Sequence, residues 1–158
     1  MAVKRSGPGA AALLQAVSQL ERKQAAVGFF PHSKYPDGTP VAYVATIQEL
    51  GYPAGGIPPR PFLRTTAESQ RDAWRDSLAK GAKAVLAGRL TPEQMLDIFA
   101  QGAAGDIRKT ISEITAPPLS PRTIAARQAK RKSPGVSTKP LVDSGLLIQS
   151  VQGQVQDK

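Results

Sequence analysis

The sequence has no cysteine, one histidine and few aromatic residues. Without cysteine, the chain can form neither disulfide bonds nor thiolate metal sites. A single histidine, His32, cannot build a multi-histidine metal site or a recognisable catalytic triad, so we interpret it as an ordinary loop residue. Because aromatic residues make up only 5% of the chain, the core must consist mainly of Leu, Ile, Val and Ala.

Long hydrophobic runs are also missing. No stretch approaches the roughly 18 apolar residues of a membrane-spanning helix, and residues 1–12 are too weakly apolar for a secretory signal. We therefore expect a chain made in the cytoplasm with no membrane partner. Its 158 residues predict one domain, residues 1–158. Fourteen prolines and fourteen glycines predict long loops within that domain.

No residue pattern indicates catalysis. The acidic residues are scattered, and the closest pair, Asp72 and Asp76, alternates with Arg71 and Arg75 as on a solvated helix face. The glycines at 55 and 56 lack the strand-to-helix context and the lysine of a phosphate loop. We predict that the protein is not an enzyme and has no catalytic, cofactor-binding or metal-binding residues.

The charge is strongly positive and unevenly distributed. The net charge is +9, yet residues 117–142 contain six basic residues and no acidic one. We call this segment the basic arm. It lacks the aromatic residues of single-strand binders and the apolar support of a duplex-reading helix. Three interpretations stay open: a solvated face, a contact with an acidic protein surface, or a contact with DNA backbone.

Hydrophobic periodicity predicts an α+β fold, in which several amphipathic helices pack on a small antiparallel sheet. Residues 25–30 favour a short strand, and the turn-rich residues 35–40 after it suggest a hairpin. Trp74, Leu78, Val85 and Leu86 are expected to face inward from the third helix. The helices are predicted at residues 10–23, 41–50, 66–87, from 91 to before Pro117, and at 121–131.

Local signals place several helix ends. Residues 41–50 fit a helix or a strand, and we favour the helix because Thr39 and Pro40 indicate its start and Gly51 its end. Thr91, Pro92 and Gln94 form a capping-box pattern, and residues 120–123 repeat this start signal. The small residues at 102–105 predict either a close helix approach, as at a subunit contact, or a tolerated loss of helix stability.

Three segments occur in the order found in tail-completion or neck proteins of long-tailed bacteriophages, a family often described as virion morphogenesis or minor tail proteins. They are residues 44–51 (VATIQELG), residues 57–64 (IPPRPFLR) and residues 139–150 (KPLVDSGLLIQS). The last segment resembles the typical ending of the family, with Ser144 in place of the commoner threonine. Residues 118–124 (PLSPRTI) are also similar to the family.

The resemblance implies a small structural virion protein that is not an enzyme. It would form a ring, expected to be hexameric, at the head-tail junction or the proximal end of the tail. Its partners would be the tail tube or tail terminator protein and the head-tail connector, with non-specific contact to passing DNA. It would be assembled in the host cytoplasm and located in the virion. A small nucleic-acid-binding protein and an assembly factor not retained in the virion are the alternatives.

The resemblance and the basic arm together nominate residues for contact with a neighbouring subunit or partner. In the terminal phrase, Asp143 is expected to cap a helical turn that leads into a strand, and Gly145 to allow close backbone approach. The nominated residues are Arg60, Phe62, Arg64, Arg122, Arg127, Lys130, Arg131, Lys132, Lys139, Asp143 and Gly145.

Overall fold

The structure is a computed structural model that describes residues 9–130 and 137–158. Within these residues it contains six α-helices and a two-stranded antiparallel sheet, which confirms the predicted α+β class. None of the described helices is both long and apolar enough to cross a membrane. In chain order the elements are α1 (Ala10–Arg22), β1 (Lys23–Phe29), α2 (Val41–Leu50), a 3₁₀ turn (Pro53–Gly55), α3 (Phe62–Leu86), α4 (Pro92–Glu113), α5 (Pro121–Lys130), α6 (Leu146–Gln149) and β2 (Val151–Asp157).

The described residues divide into two compact units. Unit 1 contains residues 9–27, 70–103 and 153–158, and unit 2 contains residues 28–69, 104–130 and 137–152. The prediction that the chain forms a single domain stays a prediction.

Unit 1 has a core of Val85, Met95 and Leu96. Since each is at most 9% exposed, burial of these side chains stabilises the unit by about 1.5–3 kcal/mol each. Trp74 and Phe99 add an edge-to-face contact with ring centroids 5.9 Å apart, the geometry that aromatic pairs prefer. The partly buried residues around this core are Ala16, Leu20, Ala25, Ala82, Leu90 and Val155.

Strand β2 lies directly against α4 in unit 1. A Cβ atom built on Gly153 would lie 2.3 Å from the carbonyl oxygen of Ala100, so only glycine fits at this position. Gln101, the next residue of α4, donates a hydrogen bond of 3.0 Å from Nε2 to the Gly153 carbonyl. The side chain of Gln101 therefore satisfies a strand carbonyl where β2 approaches the helix.

Unit 2 is built around Val41, Phe62, Ile111 and Val151, which are fully buried. The rings of Phe29 and Phe62 meet edge to face at 5.9 Å. A buried polar contact lies within this apolar core. Thr66 Oγ1 is 2.7 Å from both the Phe62 carbonyl oxygen and Thr110 Oγ1, so its hydroxyl is satisfied although it is buried.

The predicted capping signals are confirmed at two helices. The Thr91 hydroxyl accepts a hydrogen bond from the Gln94 amide at 3.1 Å, and the Thr91 amide donates to Gln94 Oε1 at 2.9 Å, as in a capping box. The Ser120 hydroxyl accepts from the Thr123 amide at 3.2 Å at the start of α5. The bounds of α2, Val41–Leu50, are also those predicted, but its N-cap residue is Pro40 rather than Thr39.

Three other predictions about the elements are wrong. Strand β1 pairs with β2, more than 100 residues later in the chain, and not with a hairpin partner. Leu86, the last residue of its helix, is 57% exposed, whereas the preceding Val85 is buried. Helix α3 begins at Phe62 rather than at residue 66, because a carboxylate from α2 binds its first amides, as described below.

The contact between Gly153 and Ala100 predicts a large loss of stability for Gly153→Ala. The new Cβ atom would meet backbone, which cannot yield as a flexible side chain can, so we expect a loss of about 1–3 kcal/mol in the free energy of unfolding. Urea denaturation measures this loss.

Gly105→Ala is the matched control. A Cβ atom on Gly105 meets open space within α4, so this variant should be more stable than the wild type by up to about 1 kcal/mol. A Gly153→Ala variant as stable as the wild type would contradict the close approach.

Candidate functional site

The buried guanidinium of Arg60 joins three segments of unit 2. Arg60 is 4% exposed, and its Nη1 donates to Gln48 Oε1 of α2 at 3.0 Å. Its Nε and Nη2 donate to the carbonyls of Pro117 and Pro118 at 2.9 and 3.1 Å. Burial, and secondarily the charge of Arg127, lowers the pKa of Arg60. These contacts hold the loop before α3 and the loop before α5 to the same helix.

Glu49 caps helix α3 from another element. Its carboxylate is buried at 6% exposure and accepts hydrogen bonds from the amides of Leu63 and Arg64 at 2.8 and 3.2 Å. These are among the first amides of α3, which have no partner within the helix. The Arg64 side chain returns to Glu49, with Nε 3.0 Å from Oε1.

Arg127 binds the chain that follows α5. Its Nη1 lies 2.9, 3.0 and 3.1 Å from the carbonyl oxygens of Ser137, Lys139 and Val142. Its Nη2 donates to the Pro140 carbonyl at 3.1 Å, and its Nε lies 3.6 Å from Asp143 Oδ1. The Arg127 side chain is only 11% exposed. It therefore holds residues 137–143 in place instead of extending into solvent.

The remaining residues of the basic arm have different surroundings. Lys139 Nζ donates to the Ser112 carbonyl at 2.9 Å, near the C-terminal end of α4, where a positive charge is favourable. Arg122 is exposed on α5. The predicted contacts at Arg131 and Lys132, and at the side chain of Lys130, lie outside the described residues.

The terminal phrase forms a helical turn followed by a strand, as expected from the resemblance. Helix α6 spans Leu146–Gln149 and β2 begins at Val151. Asp143 is not its cap, because its carboxylate pairs with Arg127. The N-cap residue is Gly145 in a left-handed conformation with φ of 80°, and the Ser144 hydroxyl accepts from the Leu146 amide at 3.3 Å.

An open cleft of about 570 Å³ lies beside this phrase in unit 2. One wall is the turn at residues 35–39, where the Asp37 carboxylate accepts a hydrogen bond from the Thr39 amide at 2.9 Å. The other wall is the segment that Arg127 holds. The cleft combines apolar and acidic lining residues, including Pro36, Val44, Leu141 and Leu147 with Asp37 and Asp143.

The pKa of Tyr35, which lines the cleft, depends on its burial and on nearby charges. Burial, and then the negative charges of Asp143 and Asp37, raises the pKa of the Tyr35 phenol. The phenol therefore keeps its proton in a field that disfavours a further negative charge. The two carboxylates that contribute to this shift both line the cleft.

The structure does not bring the nominated residues together as one exposed surface. Arg60 and Phe62 are buried, with 4% and 0% exposure, and Arg127 is occupied by carbonyls of its own chain. Gly145 serves as a helix cap. Arg64, Arg122, Lys139 and Asp143 are exposed. Of the nominated residues whose side chains the structure describes, only these four are exposed, and Lys139 also donates to the Ser112 carbonyl.

Other candidate features have local explanations. The rings of His32 and Phe30 are stacked, with centroids 6.4 Å apart. No group of three His, Asp or Glu residues in residues 9–130 and 137–158 is arranged to hold a metal ion. Cβ atoms built on Gly102 and Gly105 would meet open space, so the close approach to α4 occurs at Ala100 and not at these glycines.

Sequence reasoning missed Gln48, Glu49, Tyr35 and Asp37. Glu49 is the one charged residue of α2, and this is a signal, since a carboxylate on a buried helix face needs a partner. Asp37 precedes a glycine in a turn-rich stretch, a pattern that indicates a turn but not a cleft.

Comparison with models of known families, with curated proteins and with solved structures gave no match.

The contacts of Arg127 predict a specific loss for Arg127→Lys. A lysine keeps the charge but has a single nitrogen, whereas Arg127 bonds four carbonyls with its two Nη atoms. We therefore expect the free energy of unfolding to fall by about 1–3 kcal/mol. Hydrogen exchange at residues 137–143 should become faster. Arg122→Lys, on the exposed side of the same helix, should change stability by less than about 0.5 kcal/mol; equal effects of the two variants would contradict the role of Arg127.

The raised pKa of Tyr35 predicts a loss of stability in alkaline solution. The unfolded chain releases the Tyr35 proton at about pH 10, whereas the folded chain releases it at a higher pH. The contribution of Tyr35 is therefore fully present below pH 10 and is lost as pH rises through the folded pKa. Denaturation of the wild type and Tyr35→Phe between about pH 9 and pH 11 should show a smaller decline for the variant, and parallel curves would contradict this.

Proposed function

We propose that this protein is a structural component of a bacteriophage particle that completes the tail or neck by forming a ring. The observation that carries the proposal is the packing of the segments that resemble tail-completion proteins. Residues 44–51, 57–64, 118–124 and 139–150 all belong to unit 2.

These separate segments contact one another directly. Arg60 of the second segment binds Gln48 of the first and the carbonyl of Pro118, which begins the third in chain order. Val44 and Gln48 line the same cleft as Leu141 and Leu147 of the last. A resemblance spread over about 100 residues thus corresponds to one packed region, which supports its use as a guide to function.

The placement of the basic arm favours assembly over nucleic-acid binding. Arg127 and Lys139 donate to carbonyls of their own unit, so their side chains are committed to structure. A nucleic-acid clamp instead needs its cations directed at phosphates.

Exposed apolar side chains in unit 2 offer a surface for protein contact. Tyr43 and Leu50 of α2 are each 60% exposed, and Tyr52, just after α2, is 49% exposed. Tyr43 and Leu50 are seven residues apart and therefore share one face of α2. Tyrosine is enriched at protein interfaces because its ring is apolar and its hydroxyl can still bond.

The direct test locates the chain in purified particles. Mass spectrometry of purified virions should detect it, and electron cryomicroscopy should find it as a ring at the head-tail junction or the proximal tail. Its absence from particles, together with a strictly monomeric purified protein, would overturn the proposal. DNA binding by that monomer, with affinity falling steeply as salt rises, would favour the nucleic-acid alternative.

A triple substitution tests the basic arm. Lys130→Ala, Arg131→Ala and Lys132→Ala together should leave the free energy of unfolding within about 0.5 kcal/mol of the wild type for each change. The yield of complete particles in a complementation assay should nevertheless fall. Lys80→Ala combined with Lys83→Ala and Arg75→Ala, three changes on the exposed part of α3, is the control; equal yields from both variants would show that the arm has no role in assembly.

A further inference from the structure

The cleft in unit 2 has features that none of the preceding roles uses. Its volume of about 570 Å³ lies within the roughly 300–1,000 Å³ typical of binding pockets. Both walls are fixed by hydrogen bonds within the chain. The Tyr35 amide donates to the Thr39 carbonyl at 2.8 Å, and Arg127 holds the opposite wall. The cleft is therefore built into the fold and does not depend on a loop that must order first.

The lining residues define the chemistry of an occupant. Pro36, Val44, Leu141 and Leu147 provide apolar surface, and the carboxylates of Asp37 and Asp143 lie among them. Long basic side chains match this combination, because an aliphatic stem packs on apolar surface while the charged head pairs with an acid.

The positive charge of Arg127 does not cancel the acidic character of the cleft. Its guanidinium is shared among four carbonyls and Asp143. The phenol of Tyr35, which lines the cleft, has its pKa raised in part by both carboxylates. The lining contains two carboxylates, Asp37 and Asp143, and one cationic side chain, Arg127, so its net charge is negative.

The overall charge of the chain identifies the source of that cation. With 21 basic and 12 acidic residues, two copies of the chain repel one another unless acidic groups of one copy meet basic groups of the other. Two of the 12 acidic residues lie together in this cleft. A contact that places a basic residue of one copy in the acidic cleft of another therefore offsets the repulsion between the two copies at that contact.

We propose that the cleft binds a lysine or arginine side chain from a second copy of this chain. This inference rests on the proposed function, because it assigns a subunit contact to the ring. Asp37 and Asp143 would receive the charged head, and Pro36 and Leu141 would contact its stem.

A peptide probe tests the chemistry of the cleft in the full-length protein. The probe is a fluorescent peptide with the sequence of residues 128–134 (QAKRKSP), the densest basic run of the chain, and its control has glutamine at the three basic positions. Fluorescence anisotropy should detect binding of the basic peptide that weakens as salt rises. Binding of both peptides with equal affinity would overturn the proposal.

Asp37→Asn is the key variant. Its amide oxygen can still accept the Thr39 amide, so the turn is preserved while the charge is removed. Asp37→Ser is a second variant without the charge, and serine also favours such turns. It keeps the test valid if Asp37→Asn fails to fold. Both should weaken peptide binding about three- to fivefold, as expected for the loss of one exposed charge pair. The control Asp76→Asn removes an exposed acid from α3 and should leave binding unchanged; the same affinity for all three variants would overturn the proposal.

Sedimentation velocity tests the identity of the occupant. Self-association of the wild type should require higher concentrations after Asp37→Asn but not after Asp76→Asn. A wild type that binds the peptide through Asp37 yet stays monomeric would show that the cation comes from another protein, and would overturn the assignment to a second copy. A ring that is present in particles and unaffected by Asp37→Asn would defeat this inference alone, whereas self-association through the cleft by a chain absent from particles would defeat the proposed function alone.

Discussion

Backbone carbonyl groups in proline-rich loops are the constraint on which unit 2 depends. Such loops have no helix or sheet ladder to satisfy their carbonyls, and a buried carbonyl without a donor costs free energy comparable to a lost hydrogen bond. Arg60 and Arg127 together donate six hydrogen bonds to loop carbonyls, and Arg60 donates one more to the side-chain oxygen of Gln48. Arg108 adds a further bond to the Val151 carbonyl.

This use of arginine changes the meaning of the positive charge. A net charge of +9 first suggests a surface for an anionic partner. Several of the cations in unit 2, such as Arg60 and Arg127, are instead donors to neutral carbonyls, although Arg127 also pairs with Asp143. Arginine suits this role because its five N–H groups form a fixed planar fork that can bond several acceptors at once. Part of the excess positive charge therefore comes from arginines that bind loop carbonyls, and this part does not indicate an anionic ligand.

The sequence was a good guide wherever a structure is set by neighbours in the chain. The capping box at Thr91 and Gln94, the bounds of α2 and the helical turn before β2 depend on residues within four positions of one another. Glu49, by contrast, caps a helix that begins 13 residues later. β1 finds its partner at the opposite end of the chain. Such pairings depend on tertiary structure, which periodicity and local spacing do not encode.

Within the candidate site, the segment around Asp143 also has features set by chain neighbours and features set by tertiary structure. The spacing of Asp143, Gly145 and Leu146 favours an aspartate cap, and a helix of this length does need its first amides satisfied. Gly145 takes the N-cap position instead, and the Asp143 carboxylate lies 3.6 Å from Arg127 Nε. This charged pair joins α5 to the residue that follows the basic arm. The residue that local rules assign to a helix cap thus pairs with a cation from another segment, and it also lines the cleft.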